Sequence, residues 1–166
     1  PVDIERFAPD AANKPNLPGG GHFTAHEWAR FGEWVLRGGA HVGEDGTLVR
    51  DLGEHALDPC FEPSATNPNY GLTWWLLNGE PGSTPDVADG FLERLRPAAG
   101  QTAQLFDVDG DPVEIVMAAG AGKQRLYLVP ALDLVVVRFA EQRREGQGFD
   151  DTVFLRLVLG LGEQAE

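Results

Sequence analysis

Gly120 and Gly122 stand where an apolar run, Val116–Ala119, gives way to a second one, Gln124–Val129. Neither glycine carries a Cβ, so the backbone can bend there and another molecule can approach to contact distance. A strand edge that opens into a row of N–H groups at such a corner is one way to build an oxyanion hole. The other reading of the same residues is a β-bulge in an ordinary antiparallel sheet.

An acyl-transfer site also needs a nucleophile and a base within hydrogen-bond reach of it. The serines are Ser64 and Ser83, followed three residues on by Asn67 and Asp86 and never by Lys. Neither lies in a Gly-x-Ser-x-Gly elbow. Cys60 and His55 could suggest a thiol nucleophile, but Asp58-Pro-Cys-Phe-Glu-Pro63 holds no cation or helix start to lower a thiol pKa. Cys60 therefore reads as a buried structural cysteine. His22 and His26 have metal-ligand spacing, yet His22 precedes the expected helix cap and the pair does not share a helical face. Asp107-Val-Asp-Gly-Asp111 starts like a calcium loop and then places Pro112 and Ala118 where that loop wants Gly and Glu, so it reads as a charged hairpin turn. No metal site is expected. Trp74 and Trp75 alternate across a strand, one inward and one outward, and the outward ring either covers a helix or lines a cleft.

The elements that would position these groups follow from local signals. Residues 1–21 are an extended lead-in, broken by Pro9, Pro15, Pro18 and three glycines. Thr24 and Glu27 form a capping box for a helix whose face is Ala25, Trp28, Phe31 and Val35, and which ends at Gly38-Gly39. A hairpin is expected over 40–53 around Asp45-Gly46, and a strand over Tyr70–Leu77. Residues 78–103 are rich in Gly and Pro, with a short helix at Phe91–Arg96. Gln104–Val108 and Val113–Ala119 flank Asp109-Gly110, a hairpin turn. Strands are expected over 113–119, 124–129 and 133–139, joined by Pro130-Ala-Leu-Asp133, a turn too short for a parallel crossover. Asp150–Leu159 closes the chain as a helix, with acids in its first turn and Gly160 after its last. Antiparallel strands with helices on either side imply an α+β layer architecture.

The 166 residues suffice for one domain with a core. A net charge of −13, from 26 acidic and 13 basic residues, argues against a polyanion such as nucleic acid as partner. No run reaches the length of a membrane span, and a single cysteine excludes an internal disulfide.

Four segments stand in an order that resembles the β-lactamase-related serine hydrolases. They are Pro18-Gly-Gly-Gly-His-Phe-Thr-Ala-His-Glu-Trp-Ala-Arg-Phe-Gly32, Asn69-Tyr-Gly-Leu-Thr-Trp-Trp75, Ala119-Gly-Ala-Gly-Lys-Gln-Arg-Leu-Tyr-Leu-Val-Pro130 and Asp133-Leu-Val-Val-Val137. That group holds class C β-lactamases, D-Ala-D-Ala carboxypeptidases, related esterases and 6-aminohexanoate-dimer hydrolases. The resemblance implies the C-terminal part of that fold, spanning 1–166 as one partial domain. It implies an amide or ester as substrate, an acyl-enzyme and no cofactor. The family's third motif corresponds to Gly120-Ala-Gly-Lys-Gln124, which makes the backbone N–H of Gln124 an oxyanion donor beside Gly122. Gly120, Ala121, Lys123 and Trp75 would line the substrate cleft, unless Lys123 is simply a solvated strand-end charge. The Ser-x-x-Lys and Tyr motifs are missing, which truncation explains better than divergence. The expected partner is then an N-terminal half or a second copy. The alternative is a non-catalytic binding or complementing subunit of the same fold.

Overall fold

The computed structural model describes residues 4–15, 20–77, 107–108, 111–140 and 149–161. In the lead-in, β1 (Arg6–Phe7) pairs with β2 (Gly21–His22), tying the first described residues to the start of the domain. Helix α1 (Ala25–Leu36) begins where expected, with Thr24 Oγ1 accepting from the Glu27 N–H at 3.1 Å. It ends at Gly38 and Gly39, whose φ values of 63° and 80° lie in the left-handed region that glycine adopts freely. The expected hairpin forms from β3 (Ala40–Val42) and β4 (Leu48–Arg50), paired antiparallel. One short helical turn, α2 (Asp58–Phe61), follows.

The central sheet is antiparallel, with β10 (Leu134–Arg138), β9 (Gln124–Val129), β8 (Val116–Gly120) and β5 (Trp75–Leu76) side by side in that order. The last helix, α3 (Asp151–Val158), is capped by Asp150, whose carboxylate accepts from the N–H groups of Thr152 and Val153. Alternation along β9 divides the core. Leu126 and Leu128 join Val35, Trp74, Leu76 and Val116 against α1, whereas Tyr127 and Val129 join Met117, Ile115 and Leu155 of α3 on the other face. The chain is thus α+β, with an antiparallel sheet between two helices.

Three sequence expectations change. The strand expected over Tyr70–Leu77 shrinks to Trp75–Leu76. Thr73 takes a φ of 70°, Tyr70 bridges back to Trp75, and the Gly71 N–H donates to the Trp74 carbonyl, so the first half of the segment is a turn. Gly71 explains the tightness, because a Cβ there would fall 2.1 Å from the Cys60 carbonyl oxygen. Strand β8 starts at Val116 rather than at residue 113, while the short ladder of β6 (Asp107–Val108) and β7 (Asp111–Pro112) stands apart from the main sheet. On α1, Trp28 and Phe31 are only half-buried, and the deepest places belong to Gly32 and Val35. The helix expected at Phe91–Arg96 and the Asp109-Gly110 turn lie outside the described residues.

Candidate functional site

The glycine corner is a hairpin turn. β8 and β9 pair from Val116↔Leu128 to Gly120↔Gln124, and the three residues Ala121–Lys123 close the loop in a tight turn. Gly122 and Lys123 have φ values of 70° and 62°. Two consecutive left-handed residues give the mirror-image turn whose twist suits a hairpin, at a steric cost for Lys123 that Gly122 escapes. A Cβ on Gly120 would sit 3.1 Å from that of Gln124, so a glycine here lets the two strands close.

Of the residues expected in the site, Gly120 through Gln124 are contiguous in this turn, with Ala121 exposed and Gly122, Lys123 and Gln124 half-buried. Trp75 is not beside them: it pairs with Met117, further back along β8. Its ring packs edge-on against Tyr70 at 4.8 Å and lies half-buried on the α3 side of the sheet. The neighbouring Trp74 is buried in the other core. The Gln124 side chain holds Ala140, its amide donating to the Ala140 carbonyl and accepting from the Ala140 N–H, which continues the β10 edge beyond Arg138. Arg138 in turn donates to the Lys123 carbonyl and lies over the Phe149 ring at 3.7 Å.

Ladder alternation decides which peptide groups face outward. The Leu77 N–H donates to the Ile115 carbonyl, so Ile115, Met117 and Ala119 turn their peptide groups toward β5, while Val116, Ala118 and Gly120 turn theirs toward β9. The peptide groups of Gly120 and Gln124 therefore meet inside the hairpin. Because β5 begins at Trp75 and its chain departs at Thr73, the edge of β8 at Ala119 meets no strand among the described residues.

Beneath the turn lies a buried network that the sequence reading missed. Arg125 Nε donates to Asp151 Oδ1 at 2.7 Å and its Nη2 to Asp151 Oδ2 at 3.3 Å, with side-chain exposures of 0% and 5%. The third guanidinium nitrogen reaches the carbonyls of Gln124 at 3.0 Å and Gly120 at 3.5 Å. The Tyr127 hydroxyl also donates to Asp151 Oδ1. Burial, and then the charge of Asp151, push the Tyr127 phenol well above its usual range. The signal was present. Arg125 and Tyr127 alternate with Leu126 and Leu128 on a strand buried on both faces, and an inward-facing arginine there needs a buried carboxylate.

The remaining candidates resolve locally. Ser64 Oγ donates to the Asn67 carbonyl at 3.0 Å and accepts from its N–H at 3.1 Å, a closed turn. Ser83 lies outside the described residues. His55 Nδ1 is 2.8 Å from Asp58 Oδ2, and His22 Nε2 accepts from Arg6 at 3.0 Å. No group of three or more His, Cys, Asp or Glu residues capable of holding a metal occurs among the described residues. Among them, too, no helix is long and apolar enough to cross a membrane. No family model, curated protein or solved structure matches the chain.

Proposed function

We propose that this chain supplies the sheet edge and substrate-docking side of a serine acyl-hydrolase of the β-lactamase-related type. Three of the four resembling segments fall in one arrangement that supports this reading: Trp75 on β5, the glycine turn between β8 and β9, and the apolar run on β10 share a single antiparallel sheet. The observation that carries it is the edge of β8 at Ala119 beside that turn, which meets no strand among the described residues. An extended amide substrate can add there as a strand, its C=O accepting from the Ala119 N–H and its N–H donating to the Ala119 carbonyl.

In the complete reaction the serine Oγ of a Ser-x-x-Lys motif, supplied by a piece other than this chain, attacks the carbonyl and loses its proton to a base. The tetrahedral oxyanion is held by backbone N–H groups, and its collapse expels the amine or alcohol with a proton. Water then attacks the acyl-serine and regenerates the hydroxyl. Ala119 is the outward donor in the closed hairpin. The role expected for Gln124 requires its N–H to leave the hairpin ladder, which a substrate seated on the turn would have to bring about.

The test adds a fragment bearing Ser-x-x-Lys and Tyr motifs to the full chain and follows labelling by a fluorophosphonate. Labelling should need both pieces and fall sharply with Ala119→Pro, which deletes the outward N–H and spares the bonds to β9. Strong labelling of the chain alone, abolished by Ser64→Ala or Ser83→Ala, would overturn the reading. A second reading, a non-catalytic complementing module, is favoured by one observation: the Ser64 hydroxyl is closed into its own turn with Asn67. Capture of an extended peptide on the β8 edge, with no labelling by any combination of fragments, would select it. The outer edge of β10, which meets no strand among the described residues, is where an N-terminal half or a second copy would pair.

A further inference from the structure

We propose that the groove between α1 and the β3–β4 hairpin binds a small neutral aromatic ligand bearing a hydroxyl group, whose proton His41 Nε2 accepts. The groove has a volume of about 560 Å³ and is walled by Phe31, Trp34, Ala40, His41, Val42 and Asp51, among others. None of these residues belongs to the glycine turn, so this site stands independently of the hydrolase reading.

The chemistry follows from one carboxylate. Asp51 Oδ2 accepts from the Trp34 indole N–H at 2.8 Å and lies 2.7 Å from His41 Nδ1. The His41 and Trp34 hydrogen bonds, in that order, hold the Asp51 carboxyl below its usual range and so favour the ionised form. An ionised carboxylate can only accept, so the imidazole proton sits on Nδ1. In the neutral ring the lone pair is then on Nε2, and no described residue hydrogen-bonds to that nitrogen. An oriented acceptor with its second-ring position locked is the usual way a histidine is prepared for a partner.

The walls define that partner. Phe31 and Trp34 stack with centroids 5.9 Å apart and planes 25° from parallel, and Phe31 stacks in turn on Trp28 and Trp74, so the groove has an aromatic wall against which an apolar ring can pack. Two guanidinium groups also line the groove, but each is already ion-paired, Arg30 with Glu27 at 3.2 Å and Arg37 with Glu33 at 2.6 Å. Asp51 adds a further negative charge. The groove therefore gives an anion no unpaired cation, and the group it leaves waiting is a hydrogen-bond acceptor.

Phenol, toluene and benzoate, each titrated into the full chain near neutral to mildly alkaline pH, are the probes, read by NMR at the His41 ring and Trp34 indole signals. Phenol should shift both signals saturably and bind about tenfold tighter than toluene, the difference a single well-placed hydrogen bond supplies. Benzoate should bind no better than toluene. His41→Phe keeps a ring and removes the acceptor, so it should bring phenol down to the affinity of toluene. Asp51→Asn, which can still meet the indole but no longer dictates the tautomer, should weaken phenol several-fold and guards against a misfolded His41 variant. Equal binding of phenol and toluene, undiminished phenol binding by a folded His41→Phe or Asp51→Asn variant, tighter binding of benzoate, or a phenol titration that leaves both signals unmoved would each overturn the proposal.

Discussion

Arg125 and Asp151 hold each other through two hydrogen bonds of 2.7 and 3.3 Å, joining the central strand β9 to the first residue of α3. The same guanidinium reaches the carbonyls that flank the hairpin turn, so helix position and turn geometry share one anchor. Removing one partner strands a buried charge. Asp151→Ala should cost about 3–5 kcal/mol. The apolar triple change Arg125→Met, Tyr127→Phe, Asp151→Leu should cost far less, because it leaves no orphaned polar side chain. Urea midpoints of the two variants decide this, and a milder loss for the single change would contradict the anchoring role.

The turn itself makes a second prediction. Lys123 carries a left-handed φ that costs an L-residue roughly 1–2 kcal/mol, against a smaller entropic cost for glycine. Lys123→Gly should leave stability unchanged or raise it by about 0.5–1 kcal/mol, whereas Gly122→Val should lower it by about 1–2 kcal/mol. Thermal melts of both variants measure this. A stabilising Gly122→Val would mean that the turn has another conformation in solution.

On α1, Gly32→Ala should fail to stabilise the helix. Alanine ordinarily gains about 1 kcal/mol over glycine in a helix interior. Here its Cβ would lie 2.7 Å from Val135 Cγ1 and 2.9 Å from Leu126 Cδ1, and overpacking of this kind costs about 1–3 kcal/mol. Thr24→Ala, by contrast, should cost about 1 kcal/mol through the lost cap alone. Denaturant titrations that show Gly32→Ala more stable than the parent chain would place α1 further from the sheet.

Acid should loosen the β3–β4 hairpin before the main sheet. The folded state holds the Asp51 carboxyl below its ordinary value of 3.8, through its hydrogen bonds to His41 and Trp34. The contribution is therefore complete above the unfolded value and lost as pH falls through the lower folded one. Amide exchange across 40–50 should accelerate in that window, and Asp51→Asn should remove the acid step. An acid step that persists in Asp51→Asn assigns the titration to another group.

Much of this protein was legible in its sequence because the signals are local. The capping threonine and glycine stop of α1, the hairpin of β3 and β4, the apolar runs of β9 and β10 and the caps of α3 each depend on neighbours a few residues away. The glycine turn was legible for the same reason, since Gly122 permits a backbone that most residues resist. What only the tertiary structure decided are the relationships between faces. Arg125 finds Asp151 across 26 positions and Trp34 finds Asp51 across 17, distances over which propensity and periodicity carry no information. Burial made the first of these partners obligatory, because a charge withdrawn from water must be met by whatever the packing brings alongside. Trp34 and Asp51 instead meet at the surface, where α1 and the β3–β4 hairpin come together. The shortened β5 has a tertiary origin too: close packing of Gly71 on the Cys60 carbonyl folds Tyr70–Thr73 into a turn, so β5 does not extend along β8 as far as Ala119.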